Sequence, residues 1–286
     1  MKINAYAKIN IGLDVLRRRD DGYHEVRMIM QNINICDELE VEKTDESGIR
    51  IKTDNEDLPA NEGNLVYKAA KLVMDEYGIE GGINVKLSKN IPIAAGLAGG
   101  STDAAATLVA VNELYGLGLD TEELKKLGVK IGADVPYCIT GGTVVSEGIG
   151  EILTPIKPCP PCRILLAKPP VDVSTAYVYT HLELDKVTHP DIDGIIRGIE
   201  HADIHEVAAK MGNVLESVTI PAHPVIDDIK KIMSDNGAFG VLMSGGGPSV
   251  FGLFDSDELL DKAYDCLNES GLVKDLFRTR IYDPGM

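Results

Sequence analysis

The stretch IPIAAGLAGGSTDAAA, residues 91–106, constrains the fold of this chain more than any other segment. A β-like run, Ile83 to Leu87, precedes it, and Ser101-Thr102-Asp103 is predicted to open an alanine-rich helix. Small residues let backbone approach a ligand, and a helix start presents unpaired N–H groups at the positive end of the helix dipole. The pattern therefore favours a phosphate-binding loop. The alternative is a plain strand-to-helix turn in which Ser101-Thr102-Asp103 is the N-cap.

The spacing of the glycines excludes two common nucleotide loops. No Gly-Lys-Ser/Thr closes the run, as a P-loop requires, and the G-x-G-x-x-G of dinucleotide sites is absent. The segment resembles instead the second motif of the GHMP kinases. The residues that the resemblance assigns to ATP are Pro92, Ala94, Ala95, Gly96, Leu97, Ala98, Gly99, Gly100, Ser101 and Thr102.

Three further segments carry the same resemblance. AYAKINIGLDVLRRRDDGYHEV, from residue 5, is similar to the first GHMP motif, and GVLMSGGGPSVFGLF, from residue 240, is similar to the third. With IGADVPYCITGG, from residue 131, they take the form found in those family members that act on a cytidyl diphosphate sugar alcohol. The motifs span nearly the whole chain in the expected order, so the chain is identified as a member of the GHMP kinase family.

The resemblance implies an α+β fold of two domains, with the site in the cleft between them. The N-terminal domain, residues 1–156, is expected to resemble ribosomal protein S5 domain 2. The C-terminal domain, residues 157–286, is expected to be a ferredoxin-like α/β sandwich. The residues themselves favour a linker at the Pro-rich segment KPCPPC, which starts at Lys157.

Periodicity gives a coarse assignment of secondary structure. Residues 2–53 read mainly as strands, with predicted breaks at Arg17 to Gly22, Asp37-Glu38 and Asp45 to Gly48. Helices are predicted from Asn64 to Tyr77 and near residues 190–210, and a glycine turn joins two strands within residues 240–254.

Composition narrows the class of partner. The chain has 286 residues, of which 44% are hydrophobic, and a net charge of −17. This acidity argues against nucleic acid and anionic membranes as partners. The start MKINAYAKIN is neither a secretory signal nor a transit peptide, so a cytoplasmic protein is expected. The oligomeric state, monomer or homodimer, stays open.

Two residues are candidates for catalysis. Asp134 follows Gly132-Ala133 in a predicted loop and is either a turn residue or a general base; the resemblance makes it the base that accepts the hydroxyl proton. Lys8 interrupts a β-like run and is either a solvent-facing lysine or, by the resemblance, the electrostatic partner of Asp134.

The resemblance also implies a set of ligand contacts. Asn10 shares a strand face with Lys8 and is expected to contact the substrate. His24 is expected to hydrogen-bond the cytosine and an aromatic residue to stack on it. The expected substrate residues are Asn10, Tyr23, His24, Thr175 and Tyr179, with Tyr177 as the alternative to Tyr179. Asn64 is expected near the adenosine, and Ser101 is expected to contact the Mg²⁺ that accompanies ATP, with Asp103 as a helix cap or a more distant Mg²⁺ partner.

The function that these expectations imply is ATP-dependent phosphorylation of the 2-hydroxyl of a cytidyl diphosphate sugar alcohol, on the non-mevalonate route to isoprenoid precursors. The alternatives are a homoserine or mevalonate type of GHMP kinase, a non-catalytic ligand sensor of the same fold, and an acidic interaction protein. Tyr23-His24 argues against the first, since those acceptors have no base to stack.

Two other groupings have weaker functional interpretations. Cys159-Pro-Pro-Cys162 has redox or zinc spacing, but it has no second pair, and we interpret it as a loop with free thiols. His201 and His205 are spaced to share a helix face beside acidic residues, where a solvated face is favoured over a metal site.

Overall fold

The computed structural model describes residues 1–283 of the chain, which form two compact units. Unit 1 consists of Met1–Ala7, Ile35–Ile93 and Ala98–Gly141. Unit 2 consists of Lys8–Asn34, Ala94–Leu97 and the described residues from Gly142 onward. Because the chain enters each unit more than once, these units are not the two continuous segments predicted from the sequence. The division at residues 156 and 157 stays a prediction.

Two long strands contribute to both units. They are β1 (Lys2–Arg18) and β2 (His24–Thr44), joined by a turn in which the Arg19 N–H donates to the Tyr23 carbonyl at 2.8 Å. The break predicted at Asp37-Glu38 is wrong, since β2 runs through it. Asp37 is fully buried there and accepts hydrogen bonds from two backbone N–H groups, which explains how a strand tolerates it.

Unit 1 places helices on a small sheet. Strand β3 (Gly48–Thr53) is parallel to β4 (Gly82–Ser88), and β4 is antiparallel to the second half of β2, with Val41 opposite Val85. The helices are α1 (Leu65–Glu76), α2 (Gly99–Tyr115), α3 (Thr121–Val129) and α4 (Val135–Thr140). The core combines apolar strand residues with the alanine-rich face of α2.

Helix α2 begins two residues before its predicted start. Its N-cap is Ala98, in the left-handed conformation with φ 58°, and it accepts no side-chain capping bond. The interpretation of Ser101-Thr102-Asp103 as an N-cap is therefore wrong. The predicted helix Asn64 to Tyr77 is confirmed as α1, with Asn64 as its N-cap.

Unit 2 contains the remaining strands and helices. The strands are β5 (Thr143–Gly148), β6 (Ile152–Pro155), β7 (Arg163–Lys168), β8 (Gly212–Asn213), β9 (Gly240–Met243), β10 (Val250–Phe254) and β11 (Asp275–Arg280). The helices are α5 (Thr175–Thr180), α6 (Ile192–Glu200), α7 (Ile204–Ala208), α8 (Glu216–Ala222), α9 (Val225–Asp235) and α10 (Asp257–Ser270), with a 3₁₀ turn at Leu184–Lys186.

Two sets of paired strands organise unit 2. The first half of β2 pairs with β5, β5 pairs with β6, and β8 is parallel to β1. A separate antiparallel sheet has the order β11-β7-β10-β9, with α9 and α10 packed against it. This α/β sandwich confirms the predicted fold class.

The helix predicted near residues 190–210 is divided into α6 and α7. Ala202 has a left-handed φ of 55°, and Asp203 caps the new helix by accepting the N–H groups of His205 and Glu206. Within residues 1–283, no helix is long and apolar enough to cross a bilayer.

Candidate active site

The glycine-rich loop lies between β4 and α2 and has an unusual backbone. Ala94, Gly96 and Ala98 have φ values of 52°, 74° and 58°, all in the left-handed region. Gly100 is exposed and Ser101 is half-buried, so the first turn of α2 is accessible where no side chain caps it. Free N–H groups at a helix start suit an anion. The backbone therefore fits the predicted binding of a phosphate chain.

Lys8 is held by the loop in unit 2. Its N–H donates to the Leu97 carbonyl at 3.1 Å, and its Nζ donates to the Gly96 carbonyl at 3.2 Å and to Asn10 Oδ1 at 2.9 Å. Lys8 is 4% exposed and Asn10 is 1% exposed, so Lys8 is not a solvent-facing lysine. The two side chains share a strand face, as their spacing predicts, and they are also in contact.

The glycine turn between β9 and β10 packs against the same two side chains. Gly245 and Gly247 have φ values of 56° and 90°, and the Gly247 N–H closes the turn on the Ser244 carbonyl at 2.9 Å. A Cβ added to Gly245 would lie 3.5 Å from Lys8 Nζ and 3.6 Å from Asn10 Oδ1. The left-handed conformation favours glycine here, and a Cβ would also lie 3.1 Å from the Gly96 carbonyl oxygen.

Two buried side chains that the sequence analysis missed hold this turn. Asn213 donates to the carbonyls of Met243 and Gly245, both at 2.8 Å, and Thr219 Oγ1 donates to the Gly246 carbonyl at 3.2 Å. The sequence gives one sign of them, which is that each is a polar residue within an apolar stretch. A polar side chain that is buried needs hydrogen-bond partners. The identity of those partners depended on long-range contacts.

His24 and Tyr179 come together, although they lie on different elements of unit 2. Their ring centroids are 5.2 Å apart at an interplanar angle of 39°. Burial, with a smaller effect of Arg18, lowers the pKa of His24, so the imidazole is neutral at neutral pH. A neutral imidazole both donates and accepts, which suits the edge of a base.

The other aromatic and hydroxyl candidates are more exposed. Tyr177 stacks on His181 with centroids 4.0 Å apart, so the pairing with His24 distinguishes Tyr179 from it. Tyr23 is 60% exposed at the end of the β1–β2 turn. Thr175 Oγ1 would lie 3.5 Å from a Cβ added to Gly246, which places Thr175 beside the glycine turn.

Asp134 directly precedes α4 in unit 1. It occupies the N-cap position, is half-buried, and makes no capping bond with its side chain. Its side chain therefore does not cap the helix, unlike that of Asp120, which caps α3 by accepting the Glu123 N–H at 2.8 Å. Lys8 belongs to unit 2, and the Lys8–Asp134 couple stays a prediction.

Asn64 and Asp103 have structural partners in unit 1. Asn64 Oδ1 accepts the Val66 N–H, and Asn64 Nδ2 donates to the Pro59 carbonyl, both at 2.9 Å. These bonds are sufficient to explain why the asparagine is buried. The contact of Asn64 with adenosine stays a prediction. Asp103 is neither a cap nor free for a metal, because its carboxylate binds the ammonium of Lys89 at 2.8 Å.

The remaining loop residues divide by exposure. Pro92 is half-buried and Ala94 is exposed, whereas Ala95, Leu97 and Thr102 are buried. The Thr102 N–H donates to the Ala98 carbonyl at 2.9 Å as the first helical bond. The loop therefore presents backbone rather than long side chains, as the phosphate prediction requires.

The cysteine and histidine groupings show no metal or redox geometry. Burial raises the pKa of Cys159 to about 12 and that of Cys162 to about 11, the opposite of a reactive thiolate. His201 pairs with Glu206 and His205 with Asp255, so the histidines do not share a ligand. Among residues 1–283, no cluster of three His, Cys, Asp or Glu could hold a metal.

Comparison with known proteins agrees with this geometry. Residues 64–142 match the family model described as GHMP kinases N terminal domain, and residues 195–272 match GHMP kinases C terminal. A curated relative from Lachnospira eligens, 4-diphosphocytidyl-2-C-methyl-D-erythritol kinase, is 51% identical over 285 residues, which are 99% of each chain.

A second relative and a solved structure carry equivalent names. The protein of the same name from Lachnoclostridium phytofermentans is 50% identical and covers 99% of this chain and 98% of its own. A crystal structure of 4-(cytidine 5'-diphospho)-2C-methyl-D-erythritol kinase matches with a TM-score of 0.84 and 31% identity over 98% of this chain and 99% of that one. The chain therefore belongs to the 4-diphosphocytidyl-2-C-methyl-D-erythritol kinase family of the GHMP kinases.

Proposed function

We propose that this kinase transfers the γ-phosphoryl group of ATP to the 2-hydroxyl of 4-diphosphocytidyl-2-C-methyl-D-erythritol, on the non-mevalonate route to isoprenoid precursors. The observation that carries the proposal is the 51% identity, over 285 residues, to a relative named for that substrate. The pairing of His24 with Tyr179 supports it, since a homoserine or mevalonate acceptor has no base for these rings to hold.

The chemistry is a displacement at the γ-phosphorus. The 2-hydroxyl oxygen forms the new bond, the bond to the β–γ bridging oxygen breaks, ADP leaves, and the hydroxyl proton passes to Asp134. The Lys8 ammonium stabilises the negative charge that develops on the acceptor oxygen. Asn10 and the Gly96 carbonyl fix that ammonium through bonds of 2.9 and 3.2 Å, so little reorganisation is needed during the reaction.

ATP is bound through the loop and the start of α2. The free backbone N–H groups of the loop and of the first residues of α2 are donors to the phosphates, with the Ser101 and Thr102 side chains at the helix start. This local site, rather than the net charge of −17, receives the polyphosphate.

Mg²⁺ fits as a companion of ATP rather than as a resident ion. No metal-binding cluster of acidic and histidine side chains occurs within residues 1–283, and Asp103 is engaged by Lys89. Mg²⁺ commonly takes most of its ligands from phosphates and water. The Ser101 hydroxyl is the protein group that we assign to it, and the ion supplies charge neutralisation at the phosphates.

The cytidyl group is bound by the aromatic residues of unit 2. Tyr179 stacks on the cytosine, Tyr23 covers the other side, and the neutral His24 hydrogen-bonds the base edge. Thr175 and Asn10 contact the remainder of the substrate.

The experiment that tests the function is a coupled ADP-release assay with three acceptors: the cytidyl sugar alcohol, homoserine and mevalonate. The expected result is Mg-ATP turnover with the first acceptor alone. Turnover with homoserine or mevalonate instead identifies a different GHMP kinase. Binding of the cytidyl sugar alcohol without turnover of any acceptor identifies a sensor.

Asp134→Asn tests the base in the same assay. Loss of general-base catalysis lowers kcat about 10²–10⁴-fold while ATP still binds. Asp120→Asn is the matched control, since asparagine caps a helix as well as aspartate does, and it should keep wild-type kcat. A near-normal kcat for Asp134→Asn contradicts the assignment of the base.

A further inference from the structure

A buried cluster of one lysine and two aspartates lies in unit 1 and has no role in the proposed chemistry. The Lys89 ammonium binds both Asp37 and Asp103, the latter at 2.8 Å. The side chains are 4%, 0% and 4% exposed, respectively. Burial lowers the pKa of Lys89, but the attraction of Asp103 and Asp37 exceeds that effect and the net shift is upward, so the lysine is charged.

The cluster reaches both ends of the glycine-rich loop. Before the loop, Asp37 Oδ1 accepts the N–H groups of Asn90 at 2.6 Å and Ile91 at 2.8 Å. After the loop, Asp103 lies near the start of α2. One ammonium therefore connects the residues that enter the loop with the helix that leaves it.

The start of α2 also lies near this ammonium. A Cβ added to Gly99, the first residue of the helix, would lie 3.4 Å from Lys89 Nζ and 3.1 Å from Ile91. Little more than a methyl group would therefore fit between the first residue of α2 and the ammonium.

Stability alone does not explain the cluster. Buried ion pairs contribute less stability than well-packed apolar residues of the same volume in many cases, because desolvation offsets the attraction. Asp103 Oδ1 is buried without a hydrogen-bond partner among the described residues, which adds a further cost. What the arrangement provides is a fixed geometry between Asn90 and the first turn of α2.

We propose that Lys89, bridged between Asp37 and Asp103, is a positioning residue for the nucleotide, because it sets the start of α2 relative to the residues that enter the loop. The proposal rests on the proposed binding of ATP by this loop. It assigns to the cluster a specific effect on ATP affinity, separate from the binding of the acceptor.

The test compares Asp103→Ala with Asp103→Asn in the full chain. Alanine removes the hydrogen bond between Lys89 and α2 and leaves Lys89 paired with Asp37. Asparagine keeps an oxygen acceptor for the ammonium. We expect Asp103→Ala to raise the KM for ATP about tenfold, as loss of one hydrogen bond to a charged group does. Asp103→Asn should restore it to within about twofold. The KM for the cytidyl substrate should be unchanged in both.

Val41→Ala is the control for stability. It removes buried methyl groups from the core of unit 1, opposite Val85, and leaves every bond of the cluster in place. A merely structural role predicts that Asp103→Ala and Val41→Ala lower Tm alike and leave the KM for ATP unchanged, and that result overturns the proposal. If Asp103→Ala fails to fold, Asp103→Ser, whose shorter side chain does not reach Lys89, replaces it.

Calorimetric titration of ATP into each variant without acceptor separates this proposal from the proposed function. If the wild type binds ATP but does not phosphorylate the cytidyl substrate, the function is wrong and the ATP Kd values still test the cluster. Equal ATP Kd values for the wild type and Asp103→Ala contradict the proposed role of the cluster and leave the proposed function intact. A wild type that binds no ATP overturns both.

Discussion

Gly96→Ala tests whether the loop and the glycine turn fix Lys8 in its working position. Gly96 has a φ of 74°, and a Cβ at this position would collide with the Ser244 carbonyl. The Gly96 carbonyl also accepts hydrogen bonds from Lys8 Nζ at 3.2 Å and Ser244 Oγ at 3.0 Å. Relief of the collision must therefore move the acceptor that holds the Lys8 ammonium.

The expected magnitude has two parts. Left-handed backbone costs an alanine about 1–2 kcal/mol, of which about 0.4–1 kcal/mol is offset because alanine restricts the unfolded chain. The collision adds about 1–3 kcal/mol, as for other overpacked sites. A displacement of about 1 Å at Lys8 lowers kcat/KM by about 10²-fold.

Gly78→Ala is the matched control. Gly78 has a φ of 61°, and apart from Gly78 and its chain neighbours no heavy atom of the described residues lies within 4 Å of a Cβ built there. This variant carries the backbone cost without the collision, so it should lose about 0–1.5 kcal/mol of unfolding free energy and keep wild-type kcat/KM.

The assays are urea unfolding and ADP release with the cytidyl substrate. The reasoning is refuted if Gly96→Ala matches Gly78→Ala in both free energy of unfolding and kcat/KM. It is also refuted if Gly96→Ala is destabilised but fully active, since the loop would then not position Lys8.

Three further predictions concern single side chains. Tyr179→Ala should raise the KM for the cytidyl substrate about 10–100-fold, the value of one stacked base, whereas Tyr177→Ala should leave it unchanged; equal effects contradict the choice of Tyr179. Burial raises the pKa of Asp103 from 3.8 to about 8, so folding takes up a proton and wild-type stability falls as pH rises through that window. Urea unfolding of Asp103→Asn should therefore show its stability rising relative to wild type by up to about 1.4 kcal/mol per pH unit between pH 5 and 8, and a constant difference contradicts this. Ala94→Gly should stabilise the chain by about 0.5–1 kcal/mol in thermal unfolding because it relieves a left-handed alanine at φ 52°, whereas Ala95→Gly should destabilise it.

Local pattern was sufficient for several elements and for the prediction that the loop binds phosphate. The strand before residue 91, the alanine-rich helix after it and the glycine turn between β9 and β10 all follow from short-range periodicity and from residues that permit unusual backbone. The same information placed Lys8 and Asn10 on one face of a strand, because residues two apart on a strand share a face. The structure shows that the two side chains are also in contact.

Errors arose where a distant residue supplies the partner. Asp37 looked like a strand break because its carboxylate accepts N–H groups 53 and 54 residues away, which no local pattern shows. Asp103 looked like a cap because Lys89 was not assigned to it. The helix predicted near residues 190–210 is divided at Ala202, and the sequence did not show this because an alanine gives no sign of a left-handed backbone.

The sequence by itself determined the fold class and the order of the motifs, and it predicts phosphate binding by residues 91–106, since each of these depends on residues adjacent in the chain. Only the tertiary structure decided which buried polar groups hold those motifs in place. Lys89 joins Asp37 to Asp103, and Asn213 reaches the Gly245 carbonyl across 32 residues. The physical reason is that a buried polar atom requires a partner, but the chain must fold before the identity of that partner is fixed.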